Sequence, residues 1–555
     1  MRWFGPRSNR LAAAACAFGL WLGGWVLASA AAPKFYPDDP LQREPETQDA
    51  SKVAEWDILL TYDLLQNLLT TRGDTRDQRA RNVNTIDEVP DSNWFTNRVL
   101  ARPMSTAELM RGPQTGNGPA AGVLTLIRPK SAGVTPGFVA RDAGGVTWFI
   151  QFDAPGHDEA ASAASMVANK IFYALGYWQT ENYLAEIRPG DVRIGDNVML
   201  KLPDGRRRPF RRADLDEIFT RSARRPDGAY RMLASRALSG RPIGGFRYDG
   251  TRPDDPNDIV PHEHRRELRA LHVFGAWTNL VDMKAGNTLD VVVEEGGKSV
   301  VRHYLQDVGS TFGTGALGPH AYEEGYEHLL EPDTIRKRLL TLGFFLRPWQ
   351  RIPYDEHPAI GRFEGDRFDP REWKPRAPTA ALARARADDH FWAARRVMAF
   401  SDEMIRAMVK TGGYTDPDAE RLLADVLIKR RDRIGRTYLP AINPVVDPAL
   451  AADGTLKFTN AAVEAGVAPA PREYRIGWFA FNNATNESRA IGETTSGSTS
   501  ATAPRSAIED TSADGLLRVD IDSVAADYPS WAEPVHAYFR RGDVGWKLVG
   551  LERMD

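Results

Sequence analysis

Residues 281–310 read VDMKAGNTLDVVVEEGGKSVVRHYLQDVGS. Asp282, Lys284 and Asn287 follow a segment of helical periodicity, and a strand-like hairpin turning at Gly296-Gly297 then leads to Asp307-Val308-Gly309. A carboxylate at such a point can orient a hydroxyl or accept its proton. The Asn287 amide oxygen can bind a metal, and Lys284 can neutralise a phosphoryl group in transit. Asp307 can add a carboxylate ligand for magnesium, with Gly309 freeing its backbone. The plain alternative is a polar loop between a helix and a hairpin, so the flanking chain has to decide.

Upstream, strands are predicted at 124–127, 138–141 and 146–152, the last two joined by Ala143-Gly144-Gly145. A helix is predicted from Glu159 to Leu175, with Gly176 as its stop. The loop KSAGVTPG holds Lys130, Gly133 and Gly137. Its glycines would let the backbone approach phosphates, and ordinary turns explain the spacing equally well. Two short strands are predicted within 181–202, a turn and helical insertion over 202–222, and a strand at 230–235. Residues 239–261 read as one long loop, which a compact protein tolerates when it is covered or functional.

A long helix is predicted over 262–281, with further helices near 324–343, 380–412 and 415–435. His262 and His264 would face different sides of their helix, which favours capping and hydrogen bonding over metal binding. Arg265 and Arg266 would brace the aspartates of 252–258. On the N-terminal side, 33–50 reads as a tether, 52–70 as a helix, and 79–98 as an ordered arm anchored by buried Trp94 and Phe95. After a linker at 444–453 the tail turns strand-like, with 494–507 expected to be mobile. The boundaries are 1–32, 33–117, 118–260, 261–450 and 451–555.

The chain has 555 residues, 42% apolar and 26% charged, with a formal charge of −3. That composition bounds a large globular protein. The basic run Arg206–Arg212 reads as a solvated loop, so nucleic acid is not an expected partner. Arg2, Arg7 and Arg10 precede the apolar run Leu11–Leu27 and the small residues Ala28-Ser29-Ala30. This has the form of a secretory signal or, uncut, of a membrane anchor. It predicts export, to the periplasm or the outer face of the inner membrane. Cys16 is the only cysteine. Cleavage would leave no disulfide, thiolate zinc site or cysteine nucleophile. Neither G-x-S-x-G nor H-E-x-x-H is present.

DMKAGN matches the D-x-K-x-x-N of the protein-kinase catalytic loop, and Asp307-Val308-Gly309 resembles its D-F-G motif. Leu280 and Val281 depart from the usual His and Arg. The closer likeness is to atypical kinases, such as spore-coat kinases and toxin-antitoxin kinases. EVPDSNWFTNR, RPDDPNDIVPHEHRRELRAL and DVGSTFG also resemble a family of exported bacterial proteins, over about residues 50–450, with no substrate attached to the resemblance.

The resemblance implies an α+β fold: a bilobal kinase-like core with an N-terminal arm and a small C-terminal β domain. It implies ATP and Mg²⁺ as cofactors, Asp282 and Lys284 as catalytic residues, and Asn287 and Asp307 as metal ligands. The strand position that carries the kinase lysine holds Gln151, whose helix partner would be Glu159. Lys130 could supply the missing charge from the glycine loop, and Lys201 is a poorer candidate. The acceptor would be a hydroxyl on a protein or a small molecule. The competing reading is a pseudokinase or cell-envelope scaffold, favoured by Gln151 and by the scarcity of ATP outside the cytoplasm.

Overall fold

The computed structural model describes residues 32–130, 133–202 and 204–554. The apolar run Leu11–Leu27, expected to be a signal or anchor, lies outside them. Residues 33–50 are not a loose tether: Phe35 is buried among Phe481, Leu516, Tyr538 and Val549 of the C-terminal domain. Helix α1 spans Leu60–Leu69 and starts later than the periodicity predicts. Ahead of it the backbone is extended, because the Trp56 N–H donates to the Ile243 carbonyl at 2.8 Å. Trp94 and Phe95 are buried as anchors. A Cβ on Gly176 would collide with the Phe95 ring, so the glycine admits this anchor.

Strands β1 (Leu124–Pro129), β2 (Gly137–Arg141) and β3 (Thr147–Phe152) form an antiparallel meander. Helix α2 (Ala160–Leu175) follows. Strands β4 (Asn182–Ile187), β5 (Val192–Ile194) and β6 (Tyr230–Arg236) complete a sheet of order β4-β6-β3-β2-β1-β5. Alternation sets its faces. Trp148, Ile150 and Phe152 share a core with Leu215 and Phe219 of α3 (Arg212–Thr220). Phe149 and Gln151 therefore lie on the other face.

The helix predicted over 262–281 is broken. A 3-10 turn at His262–His264 and a single turn at Arg266–Arg269 precede α4, Leu271–Thr278. Ion pairing turns this segment's charges inward. Arg266 contacts Asp87 at 2.7 Å, Asp388 at 2.7 Å and Asp389 at 3.0 Å, and Arg269 contacts Asp389 at 3.1 Å. Both guanidinium groups are fully buried. Arg265 does reach Asp258, at 3.8 Å, but Arg266 serves the other acids instead. His262 and His264 are buried hydrogen-bonding groups: His262 meets Asp258 at 2.8 Å, and His264 meets Arg269 at 2.7 Å.

Asn279 ends α4 with φ 54, a left-handed conformation that asparagine tolerates. The loop 282–288 and the hairpin of β7 (Leu289–Glu295) and β8 (Lys298–Tyr304) come next. The segment predicted as helix over 324–343 is helical only in α5, Pro332–Leu340, where proline sits in the first turn. The 380–412 stretch is split into a short turn, α6 (Ala387–Met398) and α7 (Asp402–Lys410). The Ser401 side chain caps α7, accepting from the Met404 N–H. Helix α8 (Pro417–Tyr438) closes this part, capped by Asp416.

The C-terminal domain begins within the expected linker, with β9 at Val445–Leu450. It joins β10 (Thr455–Asn460), and β11 (Glu473–Phe481) and β12 (Ser488–Ser496) follow. β13 (Ser500–Thr502) completes the sheet β9-β10-β13. The region expected to be mobile is thus ordered by strand pairing. With β14 (Leu516–Val524), β15 (Val535–Gly542) and β16 (Gly545–Glu552), a five-stranded antiparallel sheet forms, in the order β12-β11-β14-β15-β16. Leu517, Val519 and Ile521 alternate into its core. Arg553 leaves this domain to pair with Asp87 at 3.0 Å, joining it to the Arg266 cluster. The chain is α+β.

Candidate functional site

The loop after α4 is tied around Asp282. Lys284 Nζ donates to its carboxylate at 2.7 Å. The Asn287 side-chain amide donates to the Asp282 carbonyl at 2.7 Å and to its carboxylate at 3.1 Å. Arg376 stands 3.6 Å from the other carboxylate oxygen and is held on Glu324 at 2.9 and 3.1 Å. Burial pushes the Asp282 carboxyl up, but Lys284, Arg376 and Asn287 outweigh it and hold it below the usual carboxylate range. Asp282 is therefore anionic at neutral pH.

The hairpin brings Asp307 back to this loop. Its N–H donates to the Asn287 carbonyl at 3.0 Å. One of its carboxylate oxygens accepts from the Gly309 N–H at 3.0 Å. The Asp307 side chain is exposed, whereas the next residue, Val308, is buried in the large core. Alternation of this kind pins the backbone and leaves the carboxylate in solvent. A Cβ on Gly309 would collide with Ser165 Oγ of α2, so this glycine lets the helix and the loop meet.

Lys130 approaches from the sheet. Its Nζ donates to Thr135 Oγ1 at 2.8 Å and to the Thr135 carbonyl at 3.2 Å. Burial lowers its pKa, and the Asp307 charge opposes that shift. The two side chains are thus within electrostatic reach. Gly133 has φ 76 and lies under the Lys130 ammonium, an arrangement that a side chain would disturb. Gly137 has another role. It pairs with Gln151 in the β2–β3 register, and a Cβ there would collide with the Ile150 carbonyl. The requirement is strand packing, not approach to a phosphate.

Gln151 is half-buried on the face of β3 away from α3. Glu159 is not brought to it. It caps α2 in a left-handed conformation and accepts from the Thr415 N–H at 2.9 Å. It also lies 3.4 Å from Arg225 and 3.5 Å from Arg231. Two arginines and the start of α8 occupy the carboxylate expected to brace a phosphate-binding group. Lys201 is exposed on a short strand, Met199–Lys201.

Several neighbours came from outside the motif. His320 Nε2 lies 2.9 Å from Ser310 Oγ. Burial and Arg376 push its imidazole down to about 3, against the opposing Asp282 charge, so it is neutral near pH 7. Arg376, His320 and Ser165 come from distant segments with no local pattern to mark them. The phrase DVGSTFG offered a signal only for Ser310.

Among the described residues no group of three His, Cys, Asp or Glu gathers as metal ligands. The Asn287 amide oxygen accepts no hydrogen bond among the described residues. Together with Asp307 it offers the sparse oxygen set that suits magnesium, which commonly fills its shell with phosphate oxygens and water. In donor chemistry, one amide oxygen and one carboxylate, the pair fits such an ion.

No family model and no curated protein matches the chain. Among solved structures, the Golgi casein kinase with Mn/ADP bound aligns at 9% identity and a TM-score of 0.27, covering 72% of this chain and 96% of that one. A second structure of the Golgi casein kinase aligns at 9% identity and 0.28, covering 73% and 97%. A TM-score this low carries no argument for fold or activity.

Proposed function

We propose that this chain is an exported, atypical kinase-like phosphotransferase that moves a nucleotide phosphoryl group to a hydroxyl of a protein or small molecule. The observation that carries the reading is the meeting of Asn287 and Asp307, 3.0 Å apart through their backbones, with Lys130 in electrostatic reach. The β1–β3 meander followed by a helix, with β6 and β4 extending the sheet, supports a kinase-like small lobe. Asn287 and Asp307 would hold Mg²⁺, and Lys130 would face the nucleotide phosphates. When bound, the metal would neutralise charge on the phosphates. Asp282 would orient the acceptor hydroxyl, with Lys284 and Arg376 keeping its carboxylate ionised.

A second reading, a pseudokinase or envelope scaffold, is favoured by Gln151 and by the engagement of Glu159 elsewhere. The test is calorimetric titration of the purified chain with ATP and GTP, with and without Mg²⁺, beside Asp307→Ala. Metal-dependent binding lost in Asp307→Ala, with phosphate transfer to a hydroxyl acceptor, supports the enzyme. Binding without transfer supports the pseudokinase. No binding of either nucleotide by the wild type removes the nucleotide-based reading.

A further inference from the structure

The segment around α5 departs from the composition of the whole chain. From Ile335 to Arg351 it carries Arg336, Lys337, Arg338, Arg347 and Arg351 and no acidic residue, in a chain of net charge −3. The same stretch holds Ile335, Leu339, Leu340, Leu342, Phe344 and Leu346, all exposed. Helix α5 buries none of its residues. Leu342 is 88% exposed and Phe344 86%. Isolated apolar side chains are normal on a surface, but a contiguous set marks an interaction site.

The backbone is built to present them. The Gly343 N–H donates to the Arg338 carbonyl at 2.8 Å, closing the helix end. Leu342 (φ 51) and Gly343 (φ 88) turn left-handed there, reversing the chain so that Phe344 and Leu346 follow on the outside. Arg347 is held by Glu327 at 2.6 Å, and Arg336 pairs with Asp333 in solvent at 3.0 Å. Lys337, Arg338 and Arg351 have no carboxylate partner among the described residues.

We infer that this segment docks on a lipid bilayer surface containing anionic headgroups. Large apolar tips bordered by lysine and arginine match an interfacial element, in which the tips enter the acyl boundary and the cations meet the phosphates. The charge favours anionic headgroups: Lys337, Arg338 and Arg351, without carboxylate partners among the described residues, stand beside the exposed apolar tips, and each such cation is attracted to an anionic surface. Helix α5, nine residues long, is too short to cross a bilayer, so the element would lie on its surface. Short contacts also join it to the segment that carries Arg376 of the candidate site. Glu331, at the start of α5, pairs with Lys374 at 2.8 Å, and the nearby Arg376 N–H donates to the Val281 carbonyl at 2.9 Å.

The test uses the full chain with Cys16→Ser, which removes the only cysteine. Phe344→Cys then carries a nitrobenzoxadiazole label, and Val544→Cys, 96% exposed in the β15–β16 turn, is the control. Vesicles contain equal phosphatidylglycerol and phosphatidylcholine, with doxyl quenchers on the acyl chains. Any tethering by the N-terminal segment acts on both labels alike. The expected result is a blue shift and quenching at 344 and neither at 544. Combined Arg336→Glu, Lys337→Glu and Arg338→Glu should raise the lipid concentration needed by about tenfold or more. Equal quenching at the two positions overturns the proposal. So does shielding of 344 without lipid that grows with protein concentration, which would make the face a contact between copies.

Discussion

Two polar regions of this molecule are rich in the same residue types and differ in what is left over. In the Arg266 cluster three carboxylates surround one guanidinium, Arg269 shares Asp389, and both arginines are fully buried. Its charged groups pair within the protein. In the loop 282–310 the Lys284 side chain is 43% exposed, Asp307 stands in solvent, and the Asn287 amide oxygen has no donor among the described residues. A network whose charges are buried against one another holds a fold, whereas one with exposed, unengaged donors and acceptors can take a ligand. Motif-like sequence alone does not separate the two cases.

The comparison breaks most easily at the buried cluster. Arg266→Met should destabilise the chain by about 3–5 kcal/mol in urea unfolding, because it leaves buried carboxylates uncompensated. Asp282→Asn should cost less, about 1–2 kcal/mol. Equal losses would erase the distinction. Next in size, Asp307→Ala should weaken the proposed Mg²⁺-dependent nucleotide binding by about 100-fold or more, since losing a ligand costs at least as much as losing an outer-shell partner, with the urea midpoint unchanged. Lys130→Ala should weaken the same binding by about tenfold, or about 1.4 kcal/mol, with Lys130→Arg restoring part of it. Calorimetry reads both.

The smallest effects are in pH. Burial alone would lower the His262 pKa, but Asp258 raises it overall. The stability from that pair should be complete below about pH 6.5 and fade as pH rises through the higher folded value. For Asp282 the sign is opposite. Its folded pKa is depressed, so its contribution is present above about pH 3.9 and fades as pH falls through the lower folded value. Urea midpoints at pH 3, 5, 7 and 9, for the wild type beside His262→Gln and Asp282→Asn, check both signs.

Much of the small sheet was legible, because alternation and glycine turns act locally. Strands β1 to β3 and the helix ended by Gly176 fall within a few residues of the pattern. The 262–281 region was not. Helical periodicity there counts apolar residues, while the breaks come from Arg266 and Arg269 reaching acids on other segments. Residues 33–50, 444–453 and 494–507 have the composition of loops and are ordered by distant strands and side chains. At the candidate site the spacing of Asp282, Lys284 and Asn287 was readable because the trio is one loop. Arg376, His320 and Ser165 arrive only through packing. The same packing gives Glu159 to Arg225 and Arg231.

Phe35 has a consequence for the order of assembly. Its pocket consists of Phe481, Leu516, Tyr538 and Val549, so the beginning of the described chain is seated by its end. During synthesis the ring has no site until those residues have been made and their strands paired. Contacts so far apart in sequence are slow to form. Docking of the arm is therefore set to be a late event, after the intervening helices and sheet have had time to fold.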